Sequence, residues 1–175
     1  TEGNLTYKVI SGTNVNLIGY DVIVPVGDLI ISNTITNAGT EYTVTSIGYY
    51  VFSDCTGLTT VSIPNSVTSI GDGAFYNCMG LTSVNIPNSV TSIGHSAFFR
   101  CVGLSKISIP DSVTRIDNYA FTYCTGLTAI SIPNSVTIIQ ISTFANCTGL
   151  TTINIPDSVT SIDVTAFYNC TGLTS

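Results

Sequence analysis

The chain has 175 residues, enough for one hydrophobic core of ordinary size. Charged residues make up 8% of it, against roughly 25% in an average globular protein, and ten acids outnumber four bases for a formal net charge of −6. Lys8, Arg100, Lys106 and Arg115 are the whole basic complement, too few to track phosphates, which excludes nucleic acid as a partner. The 44% hydrophobic share raises membrane insertion, but the greasiest run, 22–31, is interrupted by Pro25, Gly27 and Asp28. A membrane helix needs about 18 consecutive apolar residues, so no direct insertion is expected of this segment. No secretory leader is visible, and both ends read as processing boundaries.

In chain order, Leu5, Tyr7 and Val9 alternate with polar neighbours, Gly12-Thr13-Asn14 makes a turn, and Val15 and Leu17 alternate again. That pattern predicts a β-hairpin. Leu29-Ile30-Ile31 reads as a further strand, Asn37-Ala38-Gly39 as an inserted turn, and 44–57 as the start of a repeating pattern. We expect a hairpin cap over 1–34 and a modified first coil over 35–57.

From residue 58 the chain repeats itself. Leu58, Leu81, Leu104, Leu127 and Leu150 each open a 23-residue unit, LTTVSIPNSVTSIGDGAFYNCMG in the first. Five full units and the start of a sixth fill 58–175. In the first, Val61 and Ile63 alternate with polar residues, predicting a strand with one buried face. Pro64 breaks it, and Val67 and Ile70 make a second short extended piece. Ala74, Phe75 and Cys78 are spaced like the inward face of one helical turn. No unit can bury its own Leu, Val, Ile and Phe, so stacking on like neighbours must do it. The expected fold is a right-handed solenoid of 23-residue coils, strand-rich with short helical turns.

Six cysteines, at 55, 78, 101, 124, 147 and 170, invite a disulfide reading. A ladder of buried thiols acting as small apolar side chains fits better, because each cysteine stands at a core position and outer-side coils spread apart. Tetrahedral zinc needs ligands that converge, and a ladder spaces them in a line. His95 shares a register with Asp72 and Asn118. A metal or acid–base site there competes with a solvated loop, which the missing third ligand favours. Neither a GxSxG elbow nor a GxGxxG loop occurs. No metal or other cofactor and no catalytic set is expected.

Two surfaces are candidates for binding. Variation between units concentrates at Tyr76, His95, Phe99, Arg100, Tyr119 and Tyr123, a mixture of aromatic and cationic residues of the kind that anchors interfaces. Arg100 and Tyr123 share a register and could form a cation–π pair. The competing reading is that these rings partly cover the core. The strand side offers Thr82, Asn85, Lys106 and Thr128, either a hydroxyl-rich contact surface or ordinary strand-surface residues.

The pattern LxxVxIPxSVTxIxxxAFxxCxG resembles the BspA-like, or Treponema pallidum-type, leucine-rich repeat, over 58–175 fully and 44–57 loosely. Thr143 in the usual Ala position and Gln140 in a Gly or Asp position are local departures. The resemblance implies an exported or surface-attached protein, secreted or displayed on the cell, that adheres to extracellular or cell-surface proteins of a host or of other microbes. The alternative is a passive spacer holding another domain off the cell surface; an enzyme is a distant third. Ending three residues into a new coil, the chain reads as part of a longer array, with end-to-end self-association through the C-terminal coil expected of isolated chains.

Overall fold

The computed structural model describes residues 5–20 and 24–174. Residues 1–4 and 21–23 of the expected cap, and Ser175, lie outside the described residues. Strands β1 (Leu5–Ser11) and β2 (Asn14–Tyr20) pair antiparallel around Gly12, whose φ of 52° suits a residue without a side chain. Then come β3 (Gly27–Ile30), β4 (Thr34–Asn37) and β5 (Thr40–Ile47). β4 and β5 pair antiparallel across Ala38 and Gly39, both at positive φ.

Each later coil contributes two strands. They are β6 (Leu58–Ser62) and β7 (Ser69–Ile70), β8 (Ser83–Asn85) and β9 (Ser92–Ile93), and β10 (Lys106–Ser108) and β11 (Arg115–Ile116). The fourth coil gives β12 (Ala129–Ser131) and β13 (Ile138–Ile139), the fifth β14 (Thr152–Asn154) and β15 (Ser161–Ile162). Equivalent strands stack in parallel with partners 23 residues apart, such as Val61 with Val84 and Ile70 with Ile93. On one side the order is β3-β6-β8-β10; on the other β2-β5-β7-β9-β11, with β1 at its edge. β3, N-terminal to residue 35, already pairs with β6, so the long strand column begins at Gly27.

The core runs through the stack as columns of like residues. Leu58, Leu81, Leu104, Leu127 and Leu150 are all fully buried, as are Phe52, Phe75, Phe98, Phe121 and Phe144. The phenylalanines form a ladder with ring centroids 5.3–5.5 Å apart and nearly parallel planes. Tyr20 stacks on Phe52 at 6.4 Å and closes the N-terminal end. In the fifth coil Ile155, Ile162, Val164 and Tyr168 are exposed.

The repeated Ser-Val-Thr has a backbone explanation. Val67, Val90 and Val113 are buried. The serine hydroxyl donates to a valine carbonyl of the preceding coil, as Ser89 to Val67 at 2.6 Å and Ser112 to Val90 at 2.7 Å. The threonine hydroxyl donates to the preceding threonine carbonyl, as Thr91 to Thr68 at 3.1 Å. Carbonyls that a coil leaves unpaired at its bends are thereby satisfied by its neighbour.

The helical turn expected at Ala-Phe does not form; among the described residues there is no helix. Along 73–78 the amides alternate in direction. Ala74, Tyr76 and Cys78 donate three residues back within the coil, to Gly71, Gly73 and Phe75. Gly73, Phe75 and Asn77 donate instead to His95, Ala97 and Phe99 of the next coil, at 2.7–2.8 Å. Half of the amides serve contacts between coils, so a continuous helical ladder cannot propagate.

The cysteines complete this side. Each thiol of coils one to five donates to the phenylalanine carbonyl of the preceding coil, as Cys78 to Phe52 at 3.0 Å and Cys101 to Phe75 at 3.1 Å. Cys55, with no earlier Phe, meets the Tyr20 hydroxyl at 3.5 Å. All six are free thiols. The expectation that all six are buried needs correcting at Cys170, which is half-buried because among the described residues only the start of another coil follows it. Burial pushes the Cys101 and Cys147 thiols up to about 12.

Candidate binding site

On the turn side, two positions per coil hold left-handed backbone. The second of them carries Asp54, Asn77, Arg100, Tyr123, Asn146 and Asn169, with φ between 57° and 62°. Asp and Asn tolerate this region because their short side chains bond locally; Arg and Tyr gain no such relief. Asp54 accepts the Asn77 amide at 2.6 Å and the Ser53 hydroxyl at 2.9 Å, and these bonds hold its carboxyl below the usual range. Asn169 donates to Asn146 at 3.0 Å. Between these two linked pairs, Arg100 and Tyr123 are exposed.

Rings run alongside. Tyr50 tilts against Tyr76 at 5.6 Å, Tyr76 stacks on Phe99 at 4.8 Å with planes 2° apart, and Phe99 meets Tyr123 edge-on at 5.6 Å. Tyr76, Phe99, Arg100 and Tyr123 line one open cleft of about 590 Å³ together with Val102 and Thr125. The expected pairing of Arg100 with Tyr123 is not among the ring contacts; Phe99, one residue earlier in the same coil as Arg100, takes that ring instead. The described residues contain one salt bridge, Arg115 with Asp117 at 2.8 Å, and Arg100 has no ion-pair partner.

His95 and Tyr119 stand apart from that cleft as an edge-on pair at 5.3 Å. The column that His95 shares with Asp72 and Asn118 is occupied with backbone. Asp72 Oδ1 accepts the His95 amide at 2.8 Å, and Asn118 Oδ1 accepts the Ile141 amide at 3.2 Å. Among the described residues no three His, Cys, Asp or Glu side chains come together as metal ligands. Tyr50, Val102 and Thr125 join the candidate surface unforeseen. Val102 and Thr125 share a register two residues beyond Arg100 and Tyr123, a spacing that could have drawn attention to them.

On the strand side, Lys106 and Thr128 line a second cleft of about 510 Å³ with Ser108, Ala129, Ser131 and Thr152 around an isoleucine floor. Thr82 is exposed, its hydroxyl donating to the Thr59 carbonyl of the preceding coil at 3.0 Å, and Asn85 lies exposed on β8. Neither lines that cleft.

Stacked parallel strands, a leucine column and a phenylalanine ladder define a leucine-rich-repeat solenoid. The chain belongs to the family of BspA-type leucine-rich repeat regions, whose model matches residues 45–174 in six copies. No curated protein matches it. Among solved structures it is similar to a leucine-rich cell surface protein from Faecalibacterium prausnitzii, 32% identical with a TM-score of 0.84, over 100% of this chain and 53% of that one. A leucine-rich repeat protein from Bacteroides ovatus is 29% identical with a TM-score of 0.76, over 99% of this chain and 51% of that one. The chain thus spans about half the length of both. The leucine-rich repeat protein of T. pallidum, 21% identical, shares the fold at a TM-score of 0.80 over 98% of this chain and 88% of that one.

Proposed function

We propose that this chain is the binding module of an exported or surface-attached protein, holding a protein partner through the cleft around Arg100 and Tyr123. One observation carries the reading. Arg100 and Tyr123 occupy a strained backbone position that Asp54, Asn77, Asn146 and Asn169 fill in other coils, and both side chains line the same cleft. Strain retained where a cheaper residue would serve points to use of the side chain. Aromatic and Arg residues are also the side chains that carry most binding energy at interfaces. The surface location is supported by the F. prausnitzii neighbour, which is named as a cell surface protein.

The test is capture on immobilised extracellular-matrix proteins and on whole bacterial cells. The native chain is expected to be retained, and a chain carrying Arg100→Ala and Tyr123→Ala to be washed off at unchanged thermal stability. If Thr82→Arg or Thr128→Arg abolishes capture while the cleft variant keeps it, the strand side is the site. No capture of the native chain by any surface would leave the spacer role.

A further inference from the structure

The cleft also specifies the chemistry of what it holds, an argument that rests on the binding-module reading. We infer that it takes a protein segment in which a single carboxylate stands beside an aromatic side chain, Arg100 receiving the carboxylate and Tyr76, Phe99 and Tyr123 the ring.

Arg100 is the one charged residue among the six that line the cleft. Its guanidinium brings five N–H donors in a flat fork that matches a carboxylate. No acid lines the cleft, and Arg100 forms no ion pair among the described residues; Asp54 is bonded to Asn77 and Ser53, and Asp72 to the His95 amide. The partner's anion therefore meets a cation without an internal competitor.

The surrounding charge limits how many anions that partner carries. The chain has a formal net charge of −6, and no second cation lines the cleft. A polyanion such as a sulfated glycan would gain one ion pair and be repelled by the rest of the molecule. A segment with one carboxylate avoids that repulsion.

The rings choose between a side chain and a sugar. A pyranose packs its C–H face on an open aromatic face. Here Tyr76 has Tyr50 and Phe99 on either side, and Phe99 has Tyr76 and Tyr123. The stacked Tyr76–Phe99 pair closes the faces between the two rings and leaves their edges, which carry the positive end of the aromatic quadrupole, toward the cleft. Positive edges beside a guanidinium complement an anion and the negative face of another aromatic ring. The cleft volume of about 590 Å³ falls in the range of roughly 300–1,000 Å³ typical of ligand sites, room for one large side chain and its neighbour.

The experiment titrates the full chain, with amide shifts followed by NMR, using end-blocked tetrapeptides. One has adjacent glutamate and tryptophan, a second has glutamine for the glutamate, and a third has glycine for the tryptophan. A heparin hexasaccharide is the polyanion arm. The glutamate–tryptophan peptide is expected to shift the amides of Arg100, Val102 and Tyr123 saturably in the millimolar range. Either replaced peptide should bind at least tenfold more weakly, and heparin should leave these amides unmoved. Arg100→Asn, the residue standing in this column in the first, fourth and fifth coils, should fold as the native chain does and lose the distinction between glutamate and glutamine. Equal binding of the glutamine peptide, tighter binding of heparin, or no shift with any peptide would overturn the inference. If capture on surfaces still depends on Arg100 and Tyr123 in that case, the binding-module reading stands and the ligand chemistry is wrong. If capture is indifferent to both residues, the reading itself fails.

Discussion

Arg100 and Tyr123 hold a backbone conformation that Asn77 and Asn146 hold more cheaply at the same place in other coils. Left-handed backbone costs an ordinary L-residue about 1–2 kcal/mol, and Asn recovers part of that. Arg100→Asn and Tyr123→Asn are each expected to stabilise the chain by about 1 kcal/mol, raising Tm by roughly 2–4 °C at this size. Calorimetry checks the sign, and a fall in Tm for both would remove the strain argument. The thiols make a second prediction at this scale. Cys101 and Cys147 are raised to about 12 by burial, whereas in the unfolded chain they ionise near their ordinary value of about 9. Between those values the folded chain holds more protons than the unfolded one, so stability is intact below the ordinary value and falls as pH rises toward about 12. Each thiol contributes a slope of about 1.4 kcal/mol per pH unit in that window. Urea unfolding from pH 7 to 10.5 should show the decline, and Cys101→Ser should make it shallower. A flat profile above pH 9 contradicts the assignment.

The ladders differ in continuity. The phenylalanine stack is unbroken from Phe52 through Phe167, and the turn-side amides link every coil to the next. Phe98 sits at 5.3 Å from both Phe75 and Phe121, so Phe98→Ala is expected to cost about 3–5 kcal/mol, the usual range for emptying a buried ring site. Denaturant unfolding measures it; a loss under 2 kcal/mol would mean that the coils collapse into the gap. Both strand columns, by contrast, are interrupted between the third and fourth coils. β8 pairs with β10 and β12 with β14, but β10 and β12 do not pair, nor do β11 and β13. The backbone amides illustrate it: Thr151 donates to the Thr128 carbonyl and Thr114 to that of Thr91, while the equivalent bonds from the Thr128 and Thr137 amides are missing among the described residues. The seam is bridged by Tyr119, Phe121 and Tyr123 donating to Ile141, Thr143 and Ala145 on the turn side. No single departure in sequence accounts for it. Hydrogen exchange at the amides of Thr128, Thr137 and Gln140 is expected to be at least tenfold faster than at Thr151, Thr114 and Asp117. Equal protection would show that the strand columns are continuous in solution.

For the whole molecule, order along one axis means that each coil contacts its neighbours alone. Removing residues 81–103 joins Gly80 to Leu104 in unchanged register, since equivalent strand partners lie 23 residues apart. The shortened chain is expected to fold with the same strand-type circular dichroism and a lower Tm, and to lose cleft binding because Phe99, Arg100 and Val102 go with it. An unfolded product would refute the one-dimensional description.

Much of this was legible in the sequence by itself. A 23-residue period with Leu, Pro, Ala-Phe and Cys at fixed offsets determines which side chains share a column, and a core column is buried through coils one to four. The hairpin was legible too, because alternation on both sides of Gly12-Thr13-Asn14 leaves one pairing. The tertiary structure decided what depends on neighbours a full coil away. Ala74, Phe75 and Cys78 have helical spacing, yet the carbonyls of His95, Ala97 and Phe99 take the amides that a helix would need. Cysteine at the end of each coil looks like any small apolar residue until the phenylalanine carbonyl of the coil before it is seen to accept the thiol. Tyr76, Phe99, Arg100 and Tyr123 were suspected from their variation, but their register does not tell that they line one cleft while His95 and Tyr119 pair outside it. Periodicity specifies the column a residue occupies; the direction its side chain takes within that column is set by left-handed backbone and by the rings stacked beside it.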